Sequence, residues 1–111
     1  MIIYHITNPL DWDQAQGAGV YSADSLASEG FIHCSTREQI LITAARFYKG
    51  RQDLLLLAIE TDRLTAPMKY ENLEGGSNLY PHIYGPLNLT AVSSATPFPI
   101  SPDGSFRFPN A

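Results

Sequence analysis

Apolar and polar residues alternate along "MIIYHIT" at the amino end. Ile3, His5 and Thr7 fall on one side of an extended chain and Tyr4 and Ile6 on the other, so the pattern predicts a first strand from which His5 projects. "NPLDWDQAQGAG" then reads as a short helix, with Asn8 as N-cap, Pro9 at the first helical position, acids in the first turn and glycines at the end. Val20 and Tyr21 form a brief extended piece, Ser25 to Glu29 one helical turn stopped by Gly30, and "FIHC" another short strand ending near His33. Ser35 and Glu38 have the spacing of a capping box, and Ile40, Leu41, Ala44, Ala45 and Tyr48 recur at helical intervals up to Gly50.

Beyond Gly50 the period changes. "DLLLLAIE" is a continuous apolar run, which predicts a strand covered on both faces at the centre of a sheet. "MKYENL" reads as a strand, "EGGSN" as a turn, "HIYG" as a short extended piece and "NLTAVSSATPF" as the last strand. The tail from 97 to 111 carries Pro97, Pro99, Pro102 and Pro109, which argues against regular structure, while Phe98, Ile100, Phe106 and Phe108 predict that it packs on the body. The expectation is one α+β domain over 1–111, with a core at 1–96, six or more short strands and two or three helices clustered early.

Composition narrows the function. Hydrophobic residues are 44% and charged residues 16% of the 111, enough for a core and too little charge for a disordered chain. The net charge is −4 and the bases are scattered apart from a loose group at Arg46, Lys49 and Arg51, so duplex nucleic acid is not an expected partner, whereas a small anion held by one or two of them stays open. No secretory signal or membrane-spanning run is evident and Cys34 is the one cysteine, so a cytoplasmic protein without a membrane partner is expected.

The chemistry centres on His5, His33 and His82. Each lies in or beside a predicted short strand, so the fold can bring all three to one cleft; the alternative for each is a half-buried ring bonded to a carbonyl. They are 28 and 49 residues apart with no paired spacing, so a metal is not expected. Cys34 should point away from His33 and act as a small buried hydrophobe, whereas Ser35 shares the face of His33. "HCSTREQ" runs from a strand into a helix N-terminus, where an anion assisted by Thr36 or Arg37 competes with simple capping. Glu71 is the carboxylate placed to orient or deprotonate a hydroxyl, and Tyr4, Trp12, Tyr80 and Tyr84 are the rings available for stacking. In "LYPHIYGPL", Pro81 and Pro86 stiffen the segment that presents His82 and Tyr84.

At "YHIT", "SLASEGFIHCST", "FYKG" and "PHIYGPL" the sequence resembles the bacterial family called domain of unknown function 952, over nearly the whole chain up to about Pro97. The resemblance implies an ADP-ribosyltransferase-like fold, with small split and mixed sheets around a cleft that in relatives holds NAD. It places His5 at the nicotinamide-side ribose, His33 or Tyr21 at the second position and His82 at the third, where a transferase acting on protein would usually carry glutamate. RNA 2′-phosphotransferases are similar in their reliance on histidine, but the arginine pattern expected of them is not evident. On this basis His5, His33, His82 and Glu71 are the expected catalytic residues, and His5, Thr7, Tyr21, Ser35, Thr36 and Tyr84 the expected contacts to NAD or a related nucleotide. The implied activity is transfer or hydrolysis of ADP-ribose. A non-catalytic module for a nucleotide or phosphate-bearing ligand is the alternative, and a histidine-based metal-dependent hydrolase a third.

Overall fold

In the computed structural model, residues 1–72 and 76–109 are described. The strands are β1 (Ile2–Thr7), β2 (Val20–Tyr21), β3 (Ile32–His33), β4 (Leu55–Glu60), β5 (Met68–Glu71), β6 (Tyr80–Ile83), β7 (Leu87–Asn88) and β8 (Val92–Pro97), and the helices are α1 (Pro9–Ala18), α2 (Asp24–Glu29) and α3 (Ile40–Phe47). Three small sheets result, ordered β1-β4-β8, β2-β7 and β3-β6-β5. Every described strand pair is antiparallel. The sheets are thus split but not mixed, because α1, α2 and α3 connect strands of different sheets and no helix makes a parallel crossover within one.

Strand β4 lies between β1 and β8 and is covered on both faces, as its unbroken apolar run predicts. Leu57 and Ile59 pack with Ile3, Ile32, Ile83 and Leu87 in one core cluster, whereas Leu54 and Leu56 pack with Ile6, Ile40, Ala44 and Phe98 in another. β1 is likewise sandwiched, with Ile3, His5, Ile6 and Thr7 all buried. The tail belongs to the second cluster: Phe98 and Phe106 are buried in it, the Phe98 N–H bonds to the Leu54 carbonyl at 2.8 Å, and Phe108 meets Tyr4 edge-on at 5.2 Å.

Helix α1 starts where its side chains dictate. Asn8 Oδ1 accepts the Asp11 N–H at 2.9 Å, Pro9 fills the first turn, and Gly19 closes the helix with φ 85°, a left-handed conformation costly for other residues. Helix α3 differs from the expected capping box at Ser35 and Glu38. Ser35 exchanges both backbone hydrogen bonds with Tyr4 of β1 at 2.8 Å, so it is fixed to the sheet and its hydroxyl turns inward to Thr43 Oγ1 at 2.9 Å. The box shifts one residue on, with Gln39 Oε1 accepting the Thr36 N–H at 3.0 Å, and regular helix begins only at Ile40. The expected "EGGSN" turn includes Glu74 and Gly75, and the expected strand "MKYENL" ends on Leu73; these, with Asn110 and Ala111, lie outside the described residues.

The sheet β3-β6-β5 sorts its side chains by parity. His33 lies opposite His82, Lys69 opposite His82 on the other edge, and Glu71 opposite Tyr80, which puts His33, Lys69, Glu71, Tyr80 and His82 on one face. Ile32 and Ile83 point to the other face, into the core. Pro81 is fully buried in the central strand β6, an unusual site for a residue that cannot donate. Its carbonyl accepts the Cys34 N–H at 3.0 Å, but its nitrogen returns no bond, and β3 ends at His33 accordingly. Gly85 follows because a Cβ there would stand 2.8 Å from the Ala66 Cβ.

Candidate active site

The His-bearing face of β3-β6-β5 and the side chains of β1 and α3 enclose a cleft of about 540 Å³. His5, His33 and His82 all line it, so the three imidazoles gather from distant parts of the chain. Their environments differ sharply.

His5 is sealed. Its Nδ1 lies 2.6 Å from the His33 carbonyl oxygen and its Nε2 lies 2.8 Å from the Tyr21 hydroxyl, which in turn lies 3.0 Å from Thr7 Oγ1. A carbonyl only accepts, so Nδ1 carries the proton and donates it there. Burial pushes the ring's pKa down to about 4, which leaves it neutral with Nε2 facing the phenol. Burial also pushes the Tyr21 phenol up to about 12. Both nitrogens are engaged within the chain, so His5 fixes the backbone of His33 and ties β1 to β2.

His82 is arranged for chemistry. It is 4% exposed, stacked on Phe31 at 4.2 Å between ring centres, and its Nδ1 lies 3.0 Å from Glu71 Oε1. The same carboxylate oxygen accepts the Tyr84 hydroxyl in a short hydrogen bond. The Tyr84 bond and then the His82 bond hold the Glu71 carboxyl below its ordinary pKa, so it is ionised, and the Tyr84 phenol is raised in return. An ionised carboxylate only accepts, so Nδ1 of His82 donates to it and Nε2 is left as the nitrogen not engaged by Glu71. Among the described residues Nε2 has no partner within the chain.

His33 forms the second couple. Its Nε2 lies 3.0 Å from Glu29 Oε2, its side chain is half exposed, and its ring meets that of His82 edge-on at 5.3 Å. Two imidazoles, each with a carboxylate, therefore stand side by side in the cleft.

The other expected residues divide. Ser35 lines the cleft, but its hydroxyl is held by Thr43. Thr7 and Tyr21 line an adjoining cavity of about 240 Å³. Tyr84 lines neither cavity and serves Glu71. Thr36 and Arg37 also line neither: the Thr36 N–H is taken by Gln39 and the Arg37 guanidinium lies 3.6 Å over the Phe108 ring. Of the expected stacking rings, Tyr4 and Tyr80 line the cleft and Trp12 packs in the core. Cys34 is buried and its thiol is pushed well up by that burial. Among the described residues no group of three or more His, Cys, Asp or Glu side chains is gathered to hold a metal, and no helix is long and apolar enough to cross a membrane.

Sequence reasoning missed Phe31, Glu29, Thr43 and Tyr48 as cleft residues. Alternation in "FIHC" carries a signal for Phe31, which is two residues from His33 and so on its face. Glu29 gave none, because it reaches His33 from a helix across the left-handed Gly30.

The fold and cleft define a small α+β domain of antiparallel sheets built around paired histidine and glutamate side chains. The chain belongs to the family described as protein of unknown function, DUF952, which matches residues 6–95. It is similar to protein CC0527 from Caulobacter crescentus: the crystal structure of that protein is 33% identical, with a TM-score of 0.86, covering 96% of this chain and 94% of the other. The solution NMR structure of CC0527 is 34% identical with a TM-score of 0.81, covering 94% and 90%. No curated protein matches the chain.

Proposed function

We propose that the cleft binds a nucleotide, NAD being the compound the ADP-ribosyltransferase-like resemblance suggests, and that His82 oriented by Glu71 moves the proton in cleavage or transfer at its ribose. The observation that carries the reading is the Glu71 to His82 couple: a carboxylate fixes one ring nitrogen and leaves the other toward a cleft of nucleotide size. On this reading the bond from the ribose C1′ to nicotinamide breaks, its electron pair goes to the pyridinium nitrogen, and neutral nicotinamide leaves. The oxygen of water or of an acceptor hydroxyl bonds to C1′ and gives its proton to His82 Nε2. His33 stands beside this centre as a second hydrogen-bonding group, and Phe31 and Tyr80 supply aromatic wall.

A second reading is a non-catalytic module for a nucleotide or phosphate-bearing ligand. The stacking of His82 on Phe31 favours it, because a ring held in an aromatic stack is also a recognition surface. Incubation with NAD separates the two. Turnover is expected to leave free nicotinamide in solution; a module that only binds would shift the protein's resonances and release none, and neither effect would end both readings.

A further inference from the structure

The larger and smaller cavities share His5, Ile6, His33, Tyr48 and Arg51 among their lining, so they are two lobes of one groove. Of the shared residues Arg51 is the one permanent cation, and among the described residues no other arginine or lysine lines either lobe. It is exposed, its guanidinium lies 5.6 Å over the Tyr48 ring, and among the described residues no carboxylate is within ion-pair distance of it. The carboxylates of the larger lobe are already occupied, Glu29 by His33 and Glu71 by His82 and Tyr84. The smaller lobe carries Asp11, whose carboxylate accepts from Asn8, and Asp24, but neither is in ion-pair contact with Arg51. A planar guanidinium over a phenol ring at the junction of two lobes matches a phosphate oxygen pair.

We infer that Arg51 anchors a phosphate group where the two lobes meet, and so restricts the ligand to a phosphate ester or diphosphate with substituents extending to both sides. The aromatic lobe beside Phe31, Phe47 and Tyr80 takes a planar ring, and the smaller lobe, with Thr7, Asn8 and Ser25 and the carboxylates of Asp11 and Asp24 on its wall, takes a hydroxyl-bearing group that donates to them. The inference rests on the nucleotide-binding reading for the ring, but the anion anchor stands or falls separately.

The test measures binding of inorganic pyrophosphate, ADP-ribose and adenosine to the whole chain and to its Arg51→Ala and Arg51→Lys variants. Arg51 is exposed and its backbone N–H bond to the Tyr48 carbonyl does not involve the side chain, so both variants should melt like the parent. Arg51→Ala is expected to weaken pyrophosphate and ADP-ribose by roughly 10- to 100-fold and to leave adenosine unchanged, with Arg51→Lys in between because it keeps the charge and loses the fork. Pyrophosphate binding that depends on Arg51, without nucleotide binding, would keep the anchor and overturn the nucleotide reading. Nucleotide binding indifferent to Arg51 would overturn the anchor and keep that reading, and no binding of any of the three would overturn both.

Discussion

On the proposed reading, replacing His82 by glutamine or alanine is expected to lower the rate of nicotinamide release from NAD by about two to four orders of magnitude, the usual worth of a positioned acid or base. His82 has one nitrogen committed to an ionised Glu71 and the other on the cleft side, and the parity of β6 fixes this orientation because Ile83 is locked into the core on the opposite face. Glutamine fills more of the space against Phe31 than alanine does, so the His82→Gln variant separates lost chemistry from lost packing. Glu71→Gln keeps the shape but no longer forces the proton onto Nδ1, and the same rate should fall by less. Thermal melts in parallel would show both proteins folded. Folded variants with an undiminished rate would remove His82 from the chemistry.

The second large effect is on stability and comes from His5. Its pKa is about 4 in the folded chain against an ordinary 6.5, because burial opposes the charged ring. Protonation therefore favours the unfolded state: the contribution is complete above pH 6.5, is lost as the pH falls from 6.5 through about 4, and amounts to about 3 kcal/mol. That is a large part of the stability of a small domain. Denaturant titrations between pH 7 and pH 4 should show this loss in the parent. In a His5→Gln variant, whose amide can still donate to the His33 carbonyl, the slope over the same window should be shallower. Equal slopes would mean that burial does not hold His5 neutral in the folded chain.

Much of the local architecture was legible in the sequence. Asn8, Pro9 and Gly19 bound α1 through contacts between near neighbours, and the eight-residue run around Leu57 could be satisfied only by cover on both faces. The start of α3 was not legible, because Ser35 with Glu38 and Thr36 with Gln39 offer two capping registers, and a long-range pairing with Tyr4 selected between them. The strand placements allowed the histidines to share a cleft, and Glu71 stood out as a carboxylate able to orient a hydroxyl, whereas Glu29 did not. What the sequence could not distinguish was their condition. His5 and His82 look alike along the chain, yet contacts from Tyr21 and the His33 carbonyl close off the first, and the cross-strand neighbourhood of Glu71 opens the second. Such differences arise from pairing between elements far apart in sequence. Arg51 was visible only as one of a loose basic group; its place between two lobes depends on where β4 enters the sheet.

The most direct test is a long-range nitrogen–proton NMR spectrum of the three imidazoles, recorded near neutral pH with and without ADP-ribose. The account predicts a His82 proton on Nδ1 toward Glu71, nitrogen shifts at His82 and His33 when ADP-ribose is added, and a His5 signal that stays in place. A His82 protonated on Nε2, or ligand-dependent movement confined to His5, would contradict it.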